Sequence, residues 1–247
     1  MLTETWVVFS RQMRQQIRNP VWLFFGITQP LLFLLLFGPL LEKVLGGSGR
    51  SYAILVPGLL LQLAIFSGGF AGFGIIQELR EGVVERQRVT PARRLSLLMG
   101  RSLADVVTIA AQAVLLIVVA LPFGLDADFV GVLLAIALVM LLSLGLTSAS
   151  YAMGLILKDE DSFAPFTQGI TLPVMLLSGV LLPIDLGPAW LRNLSTVIPL
   201  KHTLDALRAL FRGDFGDGDI LTGTAFTVVV AVLLTWWGSR QFQKSSA

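Results

Sequence analysis

The chain has 247 residues, 55% hydrophobic and only 14% charged, with a mean hydropathy of +0.80. Soluble domains carry about a quarter charged residues, so this composition excludes a water-soluble fold and indicates a membrane protein. The formal charge of +2 is spread over membrane-flanking segments, which argues against a nucleic-acid partner, and the lack of cysteine excludes disulfides and thiolate–metal sites.

In chain order, residues 2–18 set Leu2, Trp6, Phe9, Met13 and Ile17 on one helical face with Arg11, Arg14 and Arg18 elsewhere. This is the pattern of an interfacial helix on the cytoplasmic leaflet. Asn19-Pro20 turns the chain into the first of six apolar segments, and no signal-peptide cleavage pattern follows. Membrane-spanning helices are expected over about residues 21–41, 52–77, 103–123, 129–157, 162–183 and 220–240. Such runs match the ~20 residues that cross ~30 Å of hydrocarbon, and none alternates as a barrel strand would. Pro30 and Pro39 are expected to kink the first span. Gly58, Gly68, Gly69, Gly72 and Gly74 would let the second approach a neighbour closely, within the subunit or across a dimer. Without internal repeats or linkers, residues 1–247 read as one all-α polytopic membrane domain.

Residues 78–101 form the longest and most charged loop. Arg80-Glu81-Gly82-Val83-Val84-Glu85-Arg86-Gln87-Arg88 is compatible with a helix, and Thr90-Pro91 supplies a cap and first-turn proline for the next. Taken alone, this stretch also reads as a solvated positive-inside loop. Between spans four and five lie Lys158-Asp159-Glu160-Asp161, where Asp161 or Ser162 is expected to cap the fifth helix.

Residues 184–212 are too polar to span and too apolar for an ordinary loop. Trp190, Leu191, Leu194, Val197 and Ile198 form one helical stripe, while Leu200, Leu204, Leu207 and Phe211 form a second. Lys201, Asp205, Arg208 and Arg212 follow the second stripe one residue later. Two short amphipathic helices at a membrane surface are expected. Lysine and arginine placement puts both termini in the cytoplasm, with the 184–212 block outside.

The sequence contains no G-x-x-x-x-G-K-[ST] phosphate loop. Its single histidine, His202, rules out a His-rich metal site and makes a Ser/His pair hard to build; Ser67, before Gly68-Gly69, is the serine that a six-span protease, the alternative enzyme class, would use. No catalytic and no metal-binding residue is therefore assigned. Asp105 lies near a span end and reads as interfacial rather than as a proton relay. Gln62, Gln112 and Gln168 are the notable polar residues of the spans, either lining a pathway or serving as hydrogen-bonding glue between helices. With no intramembrane charge expected, transport would need energy from a partner.

Two motifs give the chain a resemblance. Arg80-Glu81-Gly82 through Glu85 to Val89-Thr90-Pro91 is similar to an E-x-G-x-x-E-x-x-x-x-T-P loop. Ser178-Gly179, Pro183, Pro188-x-Trp190-Leu191, Pro199-Leu200 and Asp205-Ala206-Leu207-Arg208 follow a signature of some thirty residues. Together they resemble the membrane subunit of type-2 ABC exporters, particularly the daunorubicin-resistance-like drug-efflux permeases. The resemblance implies a multi-pass protein of the cell membrane, working with a separate cytoplasmic ATPase dimer that binds ATP and Mg, and with a second copy of itself or a related permease. No cofactor is then expected on this chain. Residues Arg80 to Pro91, with Val83, Val84, Arg86 and Arg88 among them, would form a cytoplasmic coupling helix docking on the ATPase. The 184–212 block would be an outer re-entrant helix pair between spans five and six, acting as a lid. The implied cargo is a drug-like, amphipathic or lipophilic small molecule. A lipid-linked glycan or envelope component is the alternative cargo, and a non-transporting immunity or scaffold protein the alternative class.

Overall fold

The computed structural model describes residues 2–18, 20–45, 50–83, 94–180 and 188–244, and these are helical with no strand among them. In order they form α1 (Leu2–Arg18), α2 (Pro20–Leu45), α3 (Arg50–Phe70), α4 (Gly72–Arg80) and α5 (Arg94–Ala120), which runs into a 3-10 turn, Leu121–Phe123. Then come α6 (Phe129–Leu157), α7 (Glu160–Leu177), α8 (Ala189–Ser195), α9 (Pro199–Arg212) and α10 (Gly218–Lys244). Among the described residues, four stretches are long and apolar enough to cross a membrane: Ser51–Arg80, Leu95–Phe123, Phe129–Leu157 and Gly218–Lys244. The chain is thus a polytopic membrane protein.

The bundle is built around α6, which packs on α3, α4, α5 and α10. Its 29 residues contain no proline, and Asp128 caps its start by accepting from the Gly131 N–H at 2.7 Å. Small residues set the spacing. A Cβ on Gly145 would lie 2.8 Å from the Ala231 Cα of α10, and one on Gly154 would lie 2.6 Å from the Ile75 Cγ2. Without a hydrophobic drive between helices in lipid, such close backbone approach is a main source of cohesion. The larger apolar core joins α3, α5, α6 and α9 through Leu59, Leu63, Leu116, Leu142 and Leu207. A smaller one, with Ile75, Leu98, Tyr151 and Phe163, closes the end where α4 stops and α5 begins.

Four boundaries depart from expectation. The second span breaks at Ala71, where Ser150 of α6 bridges the gap: its hydroxyl accepts from the Gly72 N–H at 2.8 Å and donates to the Gly69 carbonyl. A side chain from a neighbour satisfies the freed backbone, so the break is tolerated. The charged loop is shorter than 78–101, because α4 continues to Arg80 and α5 begins at Arg94. The fifth apolar segment starts at Glu160, capped by Asp159 rather than by Asp161 or Ser162; its carboxylate accepts from both the Ser162 hydroxyl and N–H at 3.0 Å. Those two bonds hold the Asp159 carboxyl below the usual range. That helix also stops at Leu177 rather than near 183, because Gly179 adopts φ 74 and turns the chain.

Candidate functional site

Two regions at opposite ends of the bundle hold the residues of interest. At the loop end, Arg80, Glu81, Gly82 and Val83 lie within the described residues, whereas Val84, Glu85, Arg86, Arg88, Val89, Thr90 and Pro91 lie outside them. Helix α4 ends in a turn at Glu81-Gly82, with Gly82 at φ 69, a left-handed conformation that glycine adopts without a Cβ penalty. Arg80 reaches the α6–α7 connection, pairing with Glu160 at 3.2 Å and Asp159 at 3.8 Å. These groups are about half exposed, so the pairs are worth at most ~1 kcal/mol and serve to orient.

Directly behind this loop lies a buried polar cluster. Arg101 of α5 forms an ion pair with Glu78 of α4, their side chains 3% and 11% exposed. One turn further along α5, Asp105 accepts from the Tyr151 hydroxyl of α6 at 2.5 Å and from the Gln16 amide of α1 at 2.7 Å. The Gln16 carbonyl in turn accepts from Thr108. Four helices therefore meet through charged and polar groups beside the two flanks of the 84–93 segment. Asp105 is accordingly a hub between helices and not merely an interfacial charge. Glu78 and Arg101, read from sequence as loop charges, are interior. A signal was present: Arg101, Asp105, Thr108 and Gln112 step by four, three and four along one face of α5.

At the far end, the two amphipathic stripes differ. Leu200, Leu204, Leu207 and Phe211 of α9 are all buried against α3, α6 and α10. The first stripe, on α8 and the turn after it, is open at Trp190 and Val197, 67% and 77% exposed, whereas Leu191 and Ile198 are half-buried. Pro188 stands at the cap of α8 and Pro199 at the first position of α9, where a missing N–H costs nothing. Pro183 lies outside the described residues. The Phe211 carbonyl accepts from the Asp128 N–H at 3.2 Å, tying α9 to the start of α6. Thr203 and Thr227 share a hydrogen bond at 2.8 Å, and the His202 ring stacks on Phe226 at 4.5 Å, tying α9 to α10. Arg208 donates to the Gly179 carbonyl at 3.1 Å, joining α9 to the turn in which Ser178 and Gly179 lie. Burial raises the Asp205 carboxyl above the usual carboxylate range, against the opposing pull of Lys201 and Arg208.

The three glutamines separate. Gln112 is buried with its amide against Gly26 of α2, where a Cβ would lie 2.8 Å from the Nε2. Gln62 is buried, and neither of its amide atoms has a hydrogen-bond partner among the described residues. Gln168 is exposed on α7. No cluster of histidine, cysteine, aspartate or glutamate suited to a metal ion occurs among the described residues.

Residues 3–211 match the family model described as ABC-2 type transporter. The chain is similar to a putative transport permease ycf38 from Cyanophora paradoxa, 27% identical over 216 residues that cover 85% of this chain and 74% of that one. It is 24% identical over 222 residues to the daunorubicin resistance ABC transporter permease protein DrrB1 of Streptomyces coeruleorubidus, covering 89% and 77% of the two chains. A more distant relative is the probable multidrug ABC transporter permease YbhR of Escherichia coli K12, 20% identical over 162 residues, or 65% of this chain and 44% of that protein.

Proposed function

The chain belongs to the ABC-2 type transporter family, whose model matches residues 3–211, and on that premise we propose that it is the permease subunit of an ATP-driven exporter of drug-like, amphipathic or lipophilic compounds. The family match carries this reading; in it ATP and Mg belong to a separate ABC ATPase, in keeping with the lack of a phosphate-binding loop in this sequence. In it α2 and α7 complete six spans, both termini face the cytoplasm, and a second permease completes the pathway. The names of the relatives, daunorubicin resistance and multidrug permease, support a small lipophilic cargo. Both tyrosines, Tyr52 and Tyr151, are buried inside the bundle, so neither supports the aromatic-lined channel suited to a lipid-linked glycan.

Residues 80–91 are the coupling element in this reading. Its flanks, α4 and α5, are held together by Glu78 and Arg101, and Arg80 touches the α6–α7 connection. Closure of the ATPase would thus move α4, α5 and the base of α7 as one body instead of flexing a loop. At the opposite end, α9 is bonded to α6, α10 and the turn after α7, which suits a lid that follows those helices. The exposed α8 stripe then lies in lipid or against the partner permease.

The test is ATP-dependent accumulation of a lipophilic fluorescent drug in inside-out vesicles holding the permease and its ATPase. Accumulation that requires both subunits is expected, with Trp190→Ala and Pro199→Ala impairing it more than they impair assembly. Normal export by both variants removes the lid assignment. Assembly with an ATPase but transport only of a lipid-linked glycan replaces the cargo, and a chain that recruits no ATPase is a scaffold.

A further inference from the structure

Helix α1 has three distinct faces. Its inward face, with Thr5, Val8 and Gln16, lies on α5, where Gly100 leaves no room for a side chain: a Cβ there would sit 2.7 Å from the Val8 Cβ. Hydrogen bonds from Gln16 to the Asp105 hub fix the rotation of the helix about its own axis. The two other faces are therefore presented in a set order. Next comes an apolar strip in which Trp6 and Ile17 are each 65% exposed and the Trp6 ring stacks on Phe9 at 5.2 Å. Beyond it lie Arg11, Arg14 and Arg18, all exposed. None of the three forms an ion pair among the described residues.

Along the seam between strip and arginines runs a groove of about 330 Å³, with Met13 and Ile17 on its apolar side and Ser10, Arg14 and Arg18 on its polar side. It adjoins a wider hollow of about 740 Å³ that adds Arg11. Among the described residues, none that lines either one is acidic.

We propose that this seam binds the headgroup of an anionic phospholipid, with the phosphate on the arginines and the glycerol and upper acyl chain against Trp6, Met13 and Ile17. Guanidinium forks pair bidentately with phosphate oxygens, and an indole at an apolar edge is the side chain that settles at headgroup depth. An acidic patch on a soluble protein would satisfy the arginines but leave the apolar strip in water. A zwitterionic surface would cover the strip but leave three cations uncompensated. Only an anionic amphiphile satisfies both, and α2 begins two residues after Arg18, which keeps the seam at the membrane.

The experiment uses the full chain alone in lipid nanodiscs, with neither ATPase nor cargo, so its outcome is independent of the export reading. Spin-labelled phosphatidylglycerol and spin-labelled phosphatidylcholine are compared for their protein-immobilised fraction. A preference for phosphatidylglycerol is expected. Each arginine near a charged surface is worth about fivefold in binding, so Arg14→Gln with Arg18→Gln reduces that preference by an order of magnitude or more, while Arg14→Lys with Arg18→Lys retains most of it. On the unmodified chain, raising ionic strength should erode the preference, a readout that does not depend on the variants folding. Equal binding of the two lipids, a salt-insensitive preference, or a preference unchanged in the glutamine variant overturns the assignment. A glutamine variant that keeps the parental lipid preference would leave the seam as a protein-docking face instead.

Discussion

Removing one member of the buried Glu78–Arg101 pair is the most demanding test of the packing described above. Arg101→Met deletes the cation while leaving an apolar side chain of similar length on α5, and strands the Glu78 carboxylate in an interior where its side chain is 11% exposed. Two opposed effects are at work. The attraction lost was partly offset by the desolvation of both ions, so the net worth of the pair is small. The carboxylate left behind has no such offset, and truncating one partner of a buried pair typically costs ~3–5 kcal/mol. For a chain of this length that corresponds to a fall in melting temperature on the order of 10 °C. Combining Glu78→Leu with Arg101→Met removes the stranded charge as well and is expected to recover most of the loss. The assay is thermal unfolding of purified protein followed by tryptophan fluorescence. A single variant that melts with the parent, or a double variant as unstable as the single, would show that a stranded carboxylate is not what the pair prevents.

Gln62 carries a buried amide without a partner among the described residues, a burden of about 1–3 kcal/mol, so Gln62→Leu should raise the melting temperature; a fall would mean that the amide is satisfied in the membrane. Asp205 supplies a pH test, because its carboxyl is raised by burial. The folded state then holds this proton more tightly than the unfolded state, so ionisation costs stability as pH rises through the raised value, and the cost vanishes below the ordinary value near 3.9. Asp205→Asn is therefore expected to melt above the parent near neutral pH and to converge with it toward about pH 4; a gap that does not change with pH contradicts the burial argument.

Much of the outline could be read from residues alone, for a physical reason. Long apolar runs leave few alternatives to helices in lipid, and the stripe Leu200, Leu204, Leu207, Phe211 did mark a helix face that is buried. Periodicity could not tell that the partner of this stripe is protein whereas that of Trp190 and Val197 is open, because an apolar face suits lipid and a helix bundle equally. Helix ends were misplaced wherever a tertiary partner decided them. Ser150 bridges the break at Ala71 from a helix some eighty residues away, and Glu78 enters the interior only because Arg101 meets it there. The polar stripe Arg101, Asp105, Thr108, Gln112 straddles the boundary between charged loop and apolar span, so composition splits a face that helical periodicity unites. Among the residues that the resemblance singled out for coupling, Arg80 to Val83 have a described setting, and 84–91 rest on their sequence motif.

The central claim, that residues 80–91 carry the work of a separate ATPase into this permease, is tested most directly by one measurement. Permease and ATPase are co-reconstituted in proteoliposomes, and drug-stimulated ATP hydrolysis is compared for the parent chain, Glu85→Ala and a chain lacking residues 83–88. The account predicts that all three insert into the membrane and that stimulation by drug is lost in both variants. Stimulation at the parental level in the deleted chain would contradict it.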